Sequence, residues 1–100
     1  MQFLVLGFDG TDSDAPDRRK SARPGHLARA QELDDAGALH FGAALIDDDG
    51  NMIGSVMVVE FNSEEELHAK WLDAEPYCLQ GVWKKTEIRP IRIADSFLKR

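Results

Sequence analysis

An arginine and a histidine three residues apart, Arg23 and His26 in the stretch RPGHL, are the residues of this sequence best suited to acid–base chemistry. An imidazole titrates close to neutrality, and a carboxylate beside it fixes its tautomer and stabilises its charged form, which makes the pair a usable general base. The plainer reading of His26 is a polar residue that covers the first turn of a helix and bonds a backbone carbonyl. Arg23 carries a planar guanidinium that matches a substrate carboxylate or phenolate through two parallel bonds; its other reading is a salt bridge to one of the many acids. Asp9, after the first apolar run, is either a carboxylate at a pocket mouth or a turn former. Tyr77 is either a donor to a bound anion or a half-buried residue with a wet hydroxyl.

Other reactive types lack suitable company. Cys78 has no base beside it in sequence, which favours an inert buried thiol over a nucleophile. His40 and His68 show no metal-ligand spacing with another His or Cys, so both read as structural and no metal site is expected. The acids Asp47, Asp48 and Asp49 form a solvated turn, because the twelve-residue calcium pattern with its final Glu is missing. No Gly-rich phosphate motif occurs. Trp71 and Trp83 read as core or dimer packing. No cofactor is called for.

The elements that must hold these residues follow from pattern. Residues 2–8, QFLVLGF, form a short apolar run that predicts a buried strand. From Asp9 to Ala22 neither period is present, and a long polar loop is expected. Pro24 suits a first helical position, Leu27, Ala30, Leu33 and Ala36 recur at helical spacing, and Gly37 is a cap, which predicts a helix over 24–36 with His26 in its first turn. ALHFGAALI and IGSVMVVEF flank DDDGN, a hairpin signal. Ser63 and Glu66 match a capping box opening a second helix, with Leu67, Trp71 and Ala74 inward and its end near Pro76. A last extended segment, VWKKTEIRPIRIA, carries Pro90, which belongs at an edge or bulge. The order is βαββαβ. It predicts an α+β, ferredoxin-like fold: a four-stranded antiparallel sheet with two helices on one face.

A chain of 100 residues is read as one domain. Its 43% hydrophobic and 30% charged residues are those of a globular protein. A net charge of -6 argues against a nucleic-acid partner, despite the cluster Arg18, Arg19, Lys20 and Arg23. No apolar run approaches the roughly 20 residues that span a bilayer, and no signal peptide is evident. With a single cysteine, a reducing, cytoplasmic setting is expected. With so small a core, any remaining apolar sheet face invites a partner subunit, and oligomerisation is expected.

The stretches RPGHLARAQELDDAG, GNMIGSVMVVEFNSEEEL and AEPYCLQGVWKKTEIRPIR together resemble the YCII family over nearly the whole chain. Arg23, His26, Gly54, Ser55, the Pro76–Tyr77 pair and Gly81 carry the resemblance. It implies a dimeric α/β barrel, two sheets packed face to face, and a pocket with a His and an acid. The histidine corresponds to His26 and the acid to Glu75, where the family usually has Asp. Some members resemble dehydrochlorinases or lactone isomerases. The implied reading is cofactor-free proton abstraction, elimination or isomerisation on a small organic acid, with His26 and Glu75 catalytic and Arg23, Asp9, Ser55 and Tyr77 binding substrate. The alternative is a non-catalytic ligand-binding or interaction module. Where the family often has Gly-Pro this sequence has GAA at 42–44, which implies a different pocket rim.

Overall fold

The computed structural model describes residues 1–98. Its strands are β1 (Gln2–Asp9), β2 (Leu39–Ile46), β3 (Met52–Glu60) and β4 (Trp83–Ile91). They form one antiparallel sheet in the order β2-β3-β1-β4. Helices α1 (Ala15–Asp35), α2 (Glu64–Lys70) and α3 (Pro76–Leu79), with a 3₁₀ turn at Leu72–Ala74, complete a ferredoxin-like α+β fold with the helices on one face.

Strand alternation builds the core. Phe3, Val5 and Gly7 are buried on β1, and their β3 neighbours Val59, Met57 and Ser55 are buried on the same face. Side chains of alternate strand residues share a face, so this is the face the helices cover. Leu67, Trp71, Tyr77 and Val82 close over it with at most 1% exposure. The opposite face carries Leu4, Leu6, Val56 and Val58, half-buried, beside Phe41 at 55% exposure.

The hairpin forms as its turn residues predict. Gly50 takes φ +83, which a side chain would strain, and Asp47 accepts from the backbone N–H groups of Asp49 and Asn51. Three amide contacts from Asn51 and Asp49 hold the Asp47 carboxyl below the usual carboxylate range, so the acid is a working part of the turn and not only a solvated tip. The capping box is half realised: Ser63 Oγ accepts from the Glu66 N–H at 3.1 Å. At the end of α1, Gly37 N–H reaches Asp34 O and Ala38 N–H reaches Leu33 O, a Schellman ending with Gly37 at φ +74. Pro90 lies on β4, which pairs only with β1 and is therefore an edge.

Three local expectations need correction. The loop expected from Asp9 to Ala22 is almost absent, because α1 starts at Ala15, with Pro16 in its first turn. Pro24 therefore sits inside the helix on its exposed side, where the loss of the helical bond to the Lys20 carbonyl is made up by water, and His26 belongs to the helix middle. The inward stripe of α1 runs through Ala15, Arg19, Ala22 and Leu33. Small and charged residues at the first of these positions conceal the apolar period that marks a helix. The second helix ends at Lys70, with Trp71 as its cap, and Ala74 is exposed. Pro76 starts a helical turn instead of ending one, because Glu75 caps it: Glu75 Oε2 accepts from Tyr77 N–H at 2.8 Å.

Candidate functional site

His26 and Glu75, 49 positions apart in sequence, meet across the packing of α1 on α3. Gly25 permits this approach: a Cβ there would stand 3.3 Å from the Pro76 ring. His26 Nδ1 lies 2.9 Å from Glu75 Oε1. The glutamate is fully buried and the imidazole 12% exposed. Both carboxylate oxygens accept, one from the Tyr77 backbone and one from the ring. An ionised carboxylate only accepts, so in the neutral imidazole the proton sits on Nδ1 and Nε2 is left with its lone pair. Among the described residues Nε2 makes no hydrogen bond.

The Tyr77 ring holds the imidazole in place. The two rings stack at 3.9 Å with an interplanar angle of 7°, and Trp83 meets both edge-on. The Arg19 guanidinium also lies over the tyrosine, 4.9 Å from its centroid. Burial pushes the Tyr77 hydroxyl above the usual phenol range, against the opposing pull of the Arg19 and Arg23 charges. The side chain thus stays a neutral donor.

A second ion pair lies on the far side of that tyrosine. Arg19 Nη1 donates to both Asp9 oxygens at 3.0 Å, and Nη2 donates to Ser55 Oγ at 3.1 Å. Trp83 Nε1 donates to the same hydroxyl at 3.1 Å. The Asp9 and Arg19 side chains are only 5% and 9% exposed. Ser55 faces Gly7 across the β1–β3 register, and a Cβ at Gly7 would overlap the Trp83 indole. The bare glycine is what lets Trp83 lie on β1 and reach the serine. A glycine inside an apolar strand is the signal for such a close approach, and it was available at residue 7.

An open cleft of about 900 Å³ adjoins this network. Asp9, Arg19, Lys20 and Arg23 line one wall; Asp47, Asn51, Met52 and Ile53 of the hairpin line another. His26, Glu75 and Tyr77 are not among its lining residues. The structure therefore brings His26, Glu75 and Tyr77 together, places Asp9 and Arg23 on the cleft, and joins the two groups through Arg19. Arg23 is exposed and makes no ion pair among the described residues. Sequence reasoning missed Arg19 as a member of the site and read Trp83 as packing alone; only the glycine at position 7 pointed to the tryptophan.

The remaining candidates stand apart from this network or are spent within it. Cys78 is half-buried, and burial followed by the Glu75 and Asp73 charges pushes its thiol up to about 11, which keeps it a thiol at neutral pH. His40 pairs with Glu60 at 2.6 Å, and His68 lies between Glu64 and Asp73 at 3.7 and 3.6 Å. Among the described residues no three His, Cys, Asp or Glu side chains are grouped to hold a metal. No helix there is long and apolar enough to cross a membrane.

Residues 1–92 match the YCII-related domain. Protein YciI of Escherichia coli O6:H1 is 36% identical over 98 residues, covering 92% of this chain and 97% of its own length. The chain belongs to the YCII family. The same identity and coverage hold for Protein YciI of Shigella flexneri. Among solved structures, 5-chloro-2-hydroxyhydroquinone dehydrochlorinase (TftG) from Burkholderia phenoliruptrix AC1100, in complex with 2,5-dihydroxybenzoquinone, superposes with a TM-score of 0.80 at 23% identity. The superposition covers 96% of this chain and 98% of that one. It shows that this YCII chain shares the fold of that enzyme.

Proposed function

We propose that this YCII protein is a cofactor-free enzyme that abstracts a proton from a small organic acid, in an elimination or isomerisation. The observation that carries the reading is the 2.9 Å contact between His26 Nδ1 and the fully buried Glu75 carboxylate. In the reaction, Nε2 takes a proton from a substrate carbon. The freed C–H electrons form a new double bond, which expels a leaving group or shifts an existing double bond. Glu75 stabilises the imidazolium that results, and the proton then passes to solvent or back to a neighbouring substrate carbon. Arg23 holds the substrate anion, the Tyr77 hydroxyl donates to it, and Asp9 and Ser55 keep Arg19 in place beside the tyrosine. The fold shared with a dehydrochlorinase supports this chemistry class.

Replacing His26 by alanine is expected to lower turnover of a substrate found by screening small cyclic acids by about 10²–10⁴-fold. Circular dichroism should be unchanged. Retained turnover defeats the assignment. One observation favours a second reading, a non-catalytic binding module: the cleft is lined by Asp9 and Arg23 but not by His26. A ligand that raises the melting temperature and is recovered chemically unchanged would support that module.

The protein is also proposed to form a homodimer through the sheet face carrying Leu4, Leu6, Phe41, Val56 and Val58, since an apolar face of this kind is covered in most monomers. Light scattering that reports a monomer at micromolar concentration removes this part of the reading.

A further inference from the structure

The charges of the cleft are distributed unevenly. Elsewhere among the described residues most cations are engaged by carboxylates: Arg18 by Asp12, Arg29 by Glu32, Lys70 by Glu66, and both Lys85 and Arg89 by Glu87, whereas Lys84 and Arg92 make no ion pair. Lys20 and Arg23 are unpaired as well, and differ from Lys84 and Arg92 in facing one cleft. They stand three residues apart on α1, are exposed, line the cleft together, and make no ion pair or hydrogen bond among the described residues. In a chain with 18 acidic and 12 basic side chains, two neighbouring cations on one cleft wall without an acid are open to an anion from outside.

The cleft does contain carboxylates, but each is already occupied. Asp9 is held by Arg19. Arg18 forks onto Asp12 and holds its carboxyl well below the usual range. Asp47 is held by backbone amides of its own turn. Arg19 and Arg18 thus offset Asp9 and Asp12, and the lining is left with Asp47 against Lys20 and Arg23, a balance of one positive charge. A dianion entering there exceeds that balance, and a neutral molecule leaves Lys20 and Arg23 without a partner. A monoanion suits the balance. Apolar surface from Phe8, Met52 and Ile53 lines the same space, with Met52 and Ile53 still 47% and 46% exposed.

We infer that the cleft selects singly charged acids with an apolar ring, the carboxylate lying between Lys20 and Arg23 and the ring against Phe8, Met52 and Ile53. This rests on the proposed role of Arg23 as the holder of the substrate anion and narrows the substrate class to aryl or cyclic monocarboxylates. Lys20 is the added binding residue, the second cation beside Arg23 on the cleft wall, while the uncompensated Asp47 on the hairpin side disfavours a second negative charge.

The test is calorimetric titration of the full chain with four probes: benzoate, the neutral benzamide, the dianion phthalate, and inorganic phosphate. Benzoate is expected to bind about tenfold or more tightly than each of the others, a difference of about 1.4 kcal/mol, and to weaken as salt is raised. The double variant Lys20→Ala, Arg23→Ala should lose about tenfold in benzoate affinity with an unchanged melting temperature, because both side chains are exposed. The inference is overturned if benzamide or phthalate binds as well as benzoate, if the double variant binds benzoate normally, or if benzoate does not bind at millimolar concentration. Titrating His26→Ala separates the two readings. Unimpaired benzoate binding there upholds the anion site whether or not His26 is the base, whereas normal binding by the double variant removes the anion site and leaves the role of His26 standing.

Discussion

Replacing Arg19 by alanine is expected to destabilise the protein by about 3–5 kcal/mol, the range for removing one partner of a buried ion pair. The reason is what remains. The Asp9 side chain is 5% exposed, and both of its oxygens accept from the guanidinium. Without Arg19 it becomes a carboxylate in a protein interior with nothing to offset its lost hydration. Ser55 Oγ also loses one of two donors, and the face of Tyr77 loses a cation. Urea denaturation measures the effect through its midpoint. A loss below about 1 kcal/mol would place the pair with exposed ion pairs and defeat the buried-charge account. The double variant Arg19→Met, Asp9→Leu should recover most of the loss, because apolar replacements of a buried pair are often neutral or better. The coupling between the two sites is read from the full mutant cycle.

The second large effect is chemical. Glu75→Gln is expected to reverse the tautomer of His26. The glutamate accepts from two donors, the Tyr77 N–H and His26 Nδ1. An amide has one accepting oxygen, and the rigid backbone donor keeps it. The amide NH₂ then faces Nδ1, which must accept, and the ring proton moves to Nε2. The group proposed to take a proton would already carry one. In serine proteases the same exchange of an orienting carboxylate for an amide lowers turnover by about 10⁴-fold with the geometry intact, and about 10³–10⁴-fold is expected here. The tautomer is checked without any substrate, by nitrogen NMR of the histidine ring. A ring that keeps its proton on Nδ1 in Glu75→Gln would refute the argument. Glu75→Ala acts differently. It removes the cap of α3 and leaves two buried donors unpaired, which costs about 2–4 kcal/mol of stability in addition to turnover.

These two predictions concern residues that were unequally visible in the sequence. The hairpin was legible because DDDGN has one good use, and Gly50 and Asp47 serve it as expected. The α2 cap was legible because Ser63 and Glu66 act over three residues. Helix α1 was legible only in its second half. Ahead of Pro24 its buried positions are Ala15, Arg19 and Ala22, and no hydrophobic pattern identifies a buried arginine, since what makes the site tolerable is Asp9 on another element. The same limit applies to the site. Nothing in spacing joins His26 to Glu75; their pairing followed from family resemblance, and their contact depends on Gly25 against Pro76. Arg19 was overlooked in favour of Arg23 because both lie in one basic cluster, and only burial separates the arginine that supports the site from the one that faces the cleft.

Three contacts of the site share a long sequence separation. His26 meets Glu75 over 49 positions, Arg19 meets Ser55 over 36, and Trp83 meets Ser55 over 28. None can form within a local fragment, because each needs α1, the returning strand β3 or the last strand β4 to be docked first. Loop closure on this scale is slow relative to helix or hairpin formation. The chemistry of the chain therefore has no partly folded precursor. A ligand that needs the assembled site gains nothing from a fragment or a loosened state, and its binding is felt by the whole cooperative transition at once.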